Sequence, residues 1–271
     1  MTEIIDGKKI ASEISIECKQ EVDSIKATGI TPVLAIITYN PDSASRVYVE
    51  LKLKKAKEIG VECKLLDWSD KNQDECIGAM NDLAKDKLIN GIIIQLPTNG
   101  LTNEQALLDS IPANKDVDGL SNNPSKLVPA TPKAILTVLA KSQIDLKDKK
   151  IAIVGQGKLV GRPLAQIMRS KGYDIDTADS STKDLACITK PADIIITAVG
   201  KPGLINGAMI KAGAVVIDAG TSEQNNTLVG DVDYKSVEDI ASKIAKVPGG
   251  VGPVTVVSLL QNVIEAAKNP Q

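Results

Sequence analysis

Ile151-Ala152-Ile153-Val154-Gly155-Gln156-Gly157-Lys158-Leu159-Val160-Gly161-Arg162-Pro163 sets an apolar run directly against three glycines and then a proline. The run 151–154 reads as a buried strand of a parallel sheet. Glycines after it let the backbone approach a pyrophosphate, and a proline is tolerated in the first turn of the helix that follows. The free N–H groups and positive end of that helix favour the pyrophosphate charge. The last spacing is one residue longer than in Gly-x-Gly-x-x-Gly, and glycine-rich turns are common, so the loop needs a second signal. Asp179 supplies one. It lies 18 residues after Gly161, at the end of the next expected strand, where a carboxylate can accept from a ribose or simply cap a turn.

Outward from the loop, 162–171 reads as a helix, 174–177 as a strand, and 194–198 and 214–218 as two more. Upstream, short apolar runs at 33–38, 62–67 and 91–95 alternate with helical periodicity at 43–60 and 73–86, which implies a second parallel sheet with crossover helices. A proline-rich stretch with Pro112, Gly119, Pro124 and Pro129 separates the two series and leads into a helix at 132–142. Val256, Leu259, Leu260, Val263 and Ile264 have the spacing of an amphipathic helix over 254–267. The expected fold is α/β in two domains. Residues 1–138 with 254–271 form an N-terminal three-layer α/β domain, to which the C-terminal helix returns. Residues 139–253 form a Rossmann-type dinucleotide-binding domain.

Composition removes several function classes. No apolar stretch approaches the roughly 20 residues needed to cross a bilayer, and 1–6 lacks the pattern of a secretion signal, so a cytoplasmic protein is expected. Lysine plus arginine number 32 against 34 acids, a balance that draws in no polyanion, so nucleic acid is not expected as a partner. Cys18, Cys63, Cys76 and Cys187 are scattered and the chain has no histidine, so no metal site is expected. Proton transfer must then fall to Lys, Asp, Glu, Tyr or Cys.

In the first domain, Tyr48 and Lys52 stand four residues apart and share one helix face. Lys54, Lys55 and Lys57 beside them make a solvated lysine surface the plain alternative. Gln95 ends a strand, at the sheet edge where ligands gather. Asp116-Val117-Asp118-Gly119 resembles part of a calcium loop, but the twelfth position from Asn114 is Ser125 in place of a bidentate glutamate, which rejects that reading.

Taken in order, Ile5-Asp6-Gly7-Lys8, Pro41-Asp42-Ser43-Ala44-Ser45 with Tyr48-Val49-Glu50-Leu51-Lys52, Gln95-Leu96-Pro97, Lys115-Asp116-Val117-Asp118-Gly119-Leu120, Pro129-Ala130-Thr131-Pro132, Gly230-Asp231-Val232-Asp233 and Pro248-Gly249-Gly250-Val251-Gly252-Pro253 carry a resemblance over essentially the whole chain. The chain resembles the methylenetetrahydrofolate dehydrogenase/methenyltetrahydrofolate cyclohydrolase family. That resemblance implies hydride transfer from 5,10-methylenetetrahydrofolate to a nicotinamide, then hydrolysis of the methenyl cation to 10-formyltetrahydrofolate, both in one cleft. It implies Lys52 as catalytic lysine, Tyr48 stacked on the folate, Gln95 tuning the lysine and Asp118 on the pterin. Ser45, Pro248, Gly249 and Gly250 would line the substrate. Gly155, Gln156, Gly157, Lys158, Val160, Gly161, Asp179, Ser180, Thr182 and Thr221 would meet the dinucleotide. The resemblance also implies a homodimer formed by the second domain. The family's Gly-Arg-Ser in the phosphate loop is Gly155-Gln156-Gly157 here, and its His-Ser is Asp179-Ser180. NADP is therefore expected first and NAD second, with Asp179 opposing a 2′-phosphate unless it turns away or pairs with a lysine such as Lys158 or Lys183. The rival expectations are another two-domain dehydrogenase of shikimate or amino-acid type, and a non-catalytic dinucleotide sensor.

Overall fold

The structure, a computed structural model, describes residues 2–224 and 227–269. In chain order the first elements are β1 (Glu3–Ile4), α1 (Gly7–Lys26), β2 (Val33–Thr38), α2 (Ser43–Ile59), β3 (Glu62–Asp67), α3 (Gln73–Lys85), β4 (Gly91–Ile94), α4 (Glu104–Asp109) and α5 (Ala130–Lys141). They are followed by β5 (Lys150–Val154), α6 (Gly161–Ser170), β6 (Asp174–Ala178), α7 (Ala186–Thr189), β7 (Ile194–Thr197), β8 (Val215–Asp218), β9 (Ser222–Gln224), β10 (Thr227–Val229), α8 (Tyr234–Val237), β11 (Lys243–Ala245) and α9 (Val251–Lys268). The chain divides into two compact units, one of residues 12–130 with 256–271 and one of residues 1–11 with 131–255.

The first unit is built on a three-stranded sheet of order β3-β2-β4, parallel throughout. All six residues of β2 are buried, as a central strand covered on both faces requires. Ile37, Tyr39, Met80, Ile92 and Leu107 belong to its core. Residues of α9 belong to this unit, and the buried Asn262 ties them in: its amide donates to the Val117 and Val128 carbonyls, both at 2.8 Å.

The second unit has a six-stranded sheet of order β1-β11-β8-β7-β5-β6, again parallel throughout. The chain passes from β5 outward to β6 and then back to β7 on the other side. The carboxyl ends of β5 and β7 thus form the switch point where ligands of open α/β sheets bind. β9 and β10 pair antiparallel as a separate two-stranded sheet.

The expected domain limits need correction at one end. Glu3 and Ile4 pair with Lys243 and Ile244, so the chain start belongs to the dinucleotide sheet and not to the first domain. A two-residue strand carries no periodicity, and its partner lies about 240 residues away. Most of α5 also groups with the second unit. Met1, Asn225, Asn226, Pro270 and Gln271 lie outside the described residues; of these, Met1, Pro270 and Gln271 fall within the expected first domain.

Candidate active site

α2 carries the candidate lysine, and local chemistry fixes where it starts and stops. The Asp42 carboxylate accepts the Ser45 N–H at 2.7 Å as N-cap, and Gly60 closes the helix at φ +96°. Ser45, expected at the substrate, is buried, and its hydroxyl donates to the Leu96 carbonyl at 3.3 Å. It braces the helix start against the loop after β4. Tyr48 and Lys52 follow on one face, both half-buried.

β4 ends at Ile94 and delivers Gln95 to the same place. The Lys52 ammonium donates to Gln95 Oε1 at 2.8 Å, and Gln95 Nε2 donates to the Leu96 carbonyl at 2.8 Å. The amide is thereby oriented with its oxygen toward the amine. Burial pushes the Lys52 pKa below the ordinary lysine value, opposed by the charge of Asp118. Burial likewise raises Asp118, with Lys52 pulling it down and Asp116 adding to the rise. The pair is charge-coupled, and desolvation weakens the hold of each on its charge.

Asp116 and Asp118 separate cleanly in role. Asp116 is buried and its carboxylate accepts from the N–H groups of Gly119, Leu120 and Ser121 and from the Ser121 hydroxyl, at 2.7 to 3.3 Å. It builds the loop that carries Asp118. Gly119, at φ +71°, could not be replaced there, since a Cβ would stand 2.7 Å from Pro129.

In the second unit the glycine loop is backbone packed on backbone. Gly155 has φ +95° and a Cβ on it would lie 2.5 Å from the Ala198 carbonyl oxygen. A Cβ on Gly161, the first residue of α6, would lie 1.7 Å from the Gly155 carbonyl oxygen, whereas one on Gly157 would meet nothing within 4 Å. Gly155 and Gly161 thus let backbone segments meet, and the open space over Gly157 fits a pyrophosphate approached by bare backbone. Lys158 is exposed and Val160 half-buried. Gln156 folds back, its amide donating to the Gly155 carbonyl at 3.1 Å. Sequence reasoning passed over Arg162, whose guanidinium reaches the Gln156 carbonyl at 3.5 Å and brings a cation to the loop.

After β6, Asp179 Oδ1 accepts from the Ser181 N–H at 2.9 Å and its hydroxyl at 2.6 Å, and these bonds hold the carboxyl below the usual range. The Asp179 N–H donates to the Thr182 hydroxyl at 3.0 Å. Among the described residues no lysine or arginine pairs with Asp179. Ser180 and Thr221 are exposed. Pro248 is exposed, Gly249 sits at φ +106°, and Gly250 is buried with its carbonyl close against Gly7. Among the described residues no group of three or more His, Cys, Asp and Glu could hold a metal, and no helix is long and apolar enough to cross a membrane.

Two family models match the chain: the catalytic domain of tetrahydrofolate dehydrogenase/cyclohydrolase over residues 5–118, and its NAD(P)-binding domain over residues 129–271. The bifunctional protein FolD of Moorella thermoacetica is 42% identical over 276 residues, covering 98% of this chain and 99% of its own. A crystal structure of the bifunctional methylenetetrahydrofolate dehydrogenase/cyclohydrolase from Campylobacter jejuni superposes with TM-score 0.95 at 34% identity, covering both chains completely. That of Trypanosoma brucei, complexed with NADP cofactor and inhibitor, gives TM-score 0.92 at 30% identity over 98% of this chain and 97% of its own.

Proposed function

The chain belongs to the tetrahydrofolate dehydrogenase/cyclohydrolase family, and on that premise we propose how its residues divide two successive reactions. The first is oxidation of 5,10-methylenetetrahydrofolate to 5,10-methenyltetrahydrofolate with NAD(P); the second is hydrolysis of that product to 10-formyltetrahydrofolate. The family matches span both units and support this reading over a shikimate-type dehydrogenase or a non-catalytic sensor.

The observation that carries the assignment is the 2.8 Å bond between Lys52 and Gln95, with Asp118 charge-coupled to the amine. The glycine loop of the second unit would hold NAD(P), which would supply the acceptor for the hydride leaving the methylene carbon. Tyr48 stacks on the pterin and Asp118 holds its polar edge. For hydrolysis, neutral Lys52 accepts a proton from the water that attacks the methenyl carbon. The ammonium then returns that proton to N5 as the C–N5 bond breaks, while the hydroxyl of the tetrahedral intermediate gives its proton to solvent and becomes the formyl oxygen. Gln95 keeps the amine aimed through both steps, and Ser45 braces the Gln95 loop. Following methenyl formation by absorbance with NADP and separately with NAD tests the whole reading: no methenyl product with either overturns it.

The pKa shifts give a pH dependence. A lysine that works as the neutral amine gives hydrolysis that rises with pH, on a limb centred below the ordinary lysine value. The Asp118 charge favours the ammonium, so Asp118→Asn removes the negative charge that raises the lysine pKa and moves the limb to lower pH. The kcat–pH profiles of the two proteins check the sign; a shift to higher pH rejects the coupling.

For the hydride acceptor, we propose NADP first, with weak selectivity against NAD. The exposed Ser180 hydroxyl and the Lys183 cation favour a 2′-phosphate, and Lys158 and Arg162 add positive charge to the same loop region, while the ionised Asp179, which no cation pairs with among the described residues, opposes it. Asp179→Ser is expected to raise the NADP-to-NAD ratio of kcat/KM about tenfold, equivalent to ~1.4 kcal/mol, and Gln156→Arg to add to it. An unchanged ratio in both variants removes Asp179 from the ribose.

A cytoplasmic location belongs to the same proposal, supported by four cysteines that are all free. So does a homodimer formed through the second unit, where β6 ends the six-stranded sheet as an edge strand. Light scattering across micromolar concentrations is expected to give twice the chain mass; a constant single-chain mass rejects it.

A further inference from the structure

Between β7 and β8 the second unit buries two acids that neither reaction uses. Asp231 has no exposed surface and Asp218 only 2%. Asp231 accepts three bonds of 2.7 Å: Oδ2 from the Thr197 hydroxyl and the Val199 N–H, and Oδ1 from the Lys201 N–H. Asp218 stands behind it and accepts from the N–H groups of Gly220, Asp231 and Val232 at 3.0 to 3.1 Å. The fit leaves no room for change. A Cβ on Gly220 would fall 2.1 Å from the Asp231 carboxyl, and one on Gly230 would fall 2.0 Å from that of Asp218.

What Asp231 holds is the turn that leaves β7, and that turn is one wall of the glycine loop. The Ala198 carbonyl oxygen and the Val199 side chain are the atoms a Cβ on Gly155 would strike, at 2.5 and 2.9 Å. The same turn is held from its far side by the Ser222 hydroxyl, which donates to the Gly200 carbonyl at 2.6 Å. Val199 itself is 45% exposed, an apolar side chain left bare at the switch point of the sheet, where the planar rings of a dinucleotide can cover it.

We propose that Asp231 is a positioning residue of the dinucleotide site, fixing residues 198–201 against the glycine loop and presenting Val199 to the bound dinucleotide. The proposal rests on the dinucleotide reading above. A carboxylate suits the task because both oxygens must accept: it meets three donors with no hydrogen of its own. Asparagine keeps the shape but turns one of the two oxygens into a donor, facing either Lys201 N–H or the pair from Thr197 and Val199. The turn then loses its anchor while the residues of the lysine site, all in the other unit, keep theirs.

The experiment titrates purified full-length wild type, Asp231→Asn and Thr197→Val with NADPH and with NADH by fluorescence, and measures methenyl hydrolysis in parallel. The expected result for Asp231→Asn is a dinucleotide Kd raised at least about tenfold, with the dehydrogenase KM for dinucleotide following it. Thr197→Val, which deletes one bond and leaves the carboxylate, is expected to raise Kd by about threefold. Hydrolysis kcat, which needs no dinucleotide, stays within about twofold in both. Wild-type Kd in a folded Asp231→Asn overturns the proposal. If that variant does not fold, wild-type Kd in Thr197→Val overturns it. Equal losses of hydrolysis and of dinucleotide binding also overturn it, since they reveal a role in stability alone. Wild type that binds neither dinucleotide overturns the underlying reading instead.

Discussion

Lys52→Met is expected to reduce methenyl hydrolysis to the uncatalysed rate while the protein stays folded and still binds dinucleotide. Methionine matches the length of the lysine stem and suits a half-buried place, so packing is kept. What disappears is the one group bonded to Gln95 Oε1, among the described residues, that can take up and return a proton. General acid–base catalysis is worth about 10²–10⁴-fold, which sets the size of the loss. The fold is spared because no ion is stranded: Asp118, already pushed up by burial, loses the cation that lowered it and protonates more readily. Gln95 loses one bond, a cost of about 1 kcal/mol. Loss of the methenyl absorbance is the readout, with circular dichroism as the control. Hydrolysis at the wild-type rate removes Lys52 from the catalytic role.

Gly161→Ala is expected to do the converse, abolishing the dinucleotide-dependent oxidation and leaving hydrolysis in place. The added methyl would overlap the Gly155 carbonyl oxygen at 1.7 Å, and backbone cannot step aside as a side chain tip would. Gly155, at φ +95° and jammed against Ala198, has no room to yield, so the loop must open. A rise in dinucleotide KM beyond about a hundredfold is expected, the equivalent of ~2.7 kcal/mol. Gly157→Ala is the informative contrast. Its methyl meets nothing in the protein, so an unchanged Tm joined to a raised KM shows that the space over Gly157 is reserved for the ligand. Normal oxidation by Gly161→Ala would show that the phosphates lie elsewhere.

Strands β2 and β3 were legible to the residue: β2 is a wholly buried apolar run that opens after Pro32, and β3, exposed to half-buried along its length, is set off from the preceding helix by Gly60. The glycine loop and its helix were equally plain. Helix α1 was not recognised, although Ile10, Ile14, Cys18, Val22 and Ile25 repeat every three or four residues and are all buried. Its signal was present and the polar residues between diluted it. At the site, Lys52 and Gln95 were visible only as candidates, since their bond closes 43 residues of chain that no spacing rule spans. The Asp231 anchor was further hidden: it ties a short motif to a turn 30 to 34 residues upstream, and aspartates beside glycines read as turn formers.

The pairing of Glu3 and Ile4 with β11, and the placement of 256–271 with residues 12–130, bear on how the protein is made. Synthesis runs from the amino terminus, and a domain that is contiguous in sequence can fold as soon as it leaves the ribosome. Neither unit here has that freedom. The sheet of the second unit lacks its edge strand's partner until residue 245 emerges, and the first unit lacks the buried Asn262, Val263 and Ile264 until residue 264 is out. Maturation of both units is therefore expected to wait for the segment from β11 to α9 and to be nearly simultaneous. Until then Gly91 of β4 lacks the Val263 side chain that packs beside it, a vectorial delay written into the order of the chain.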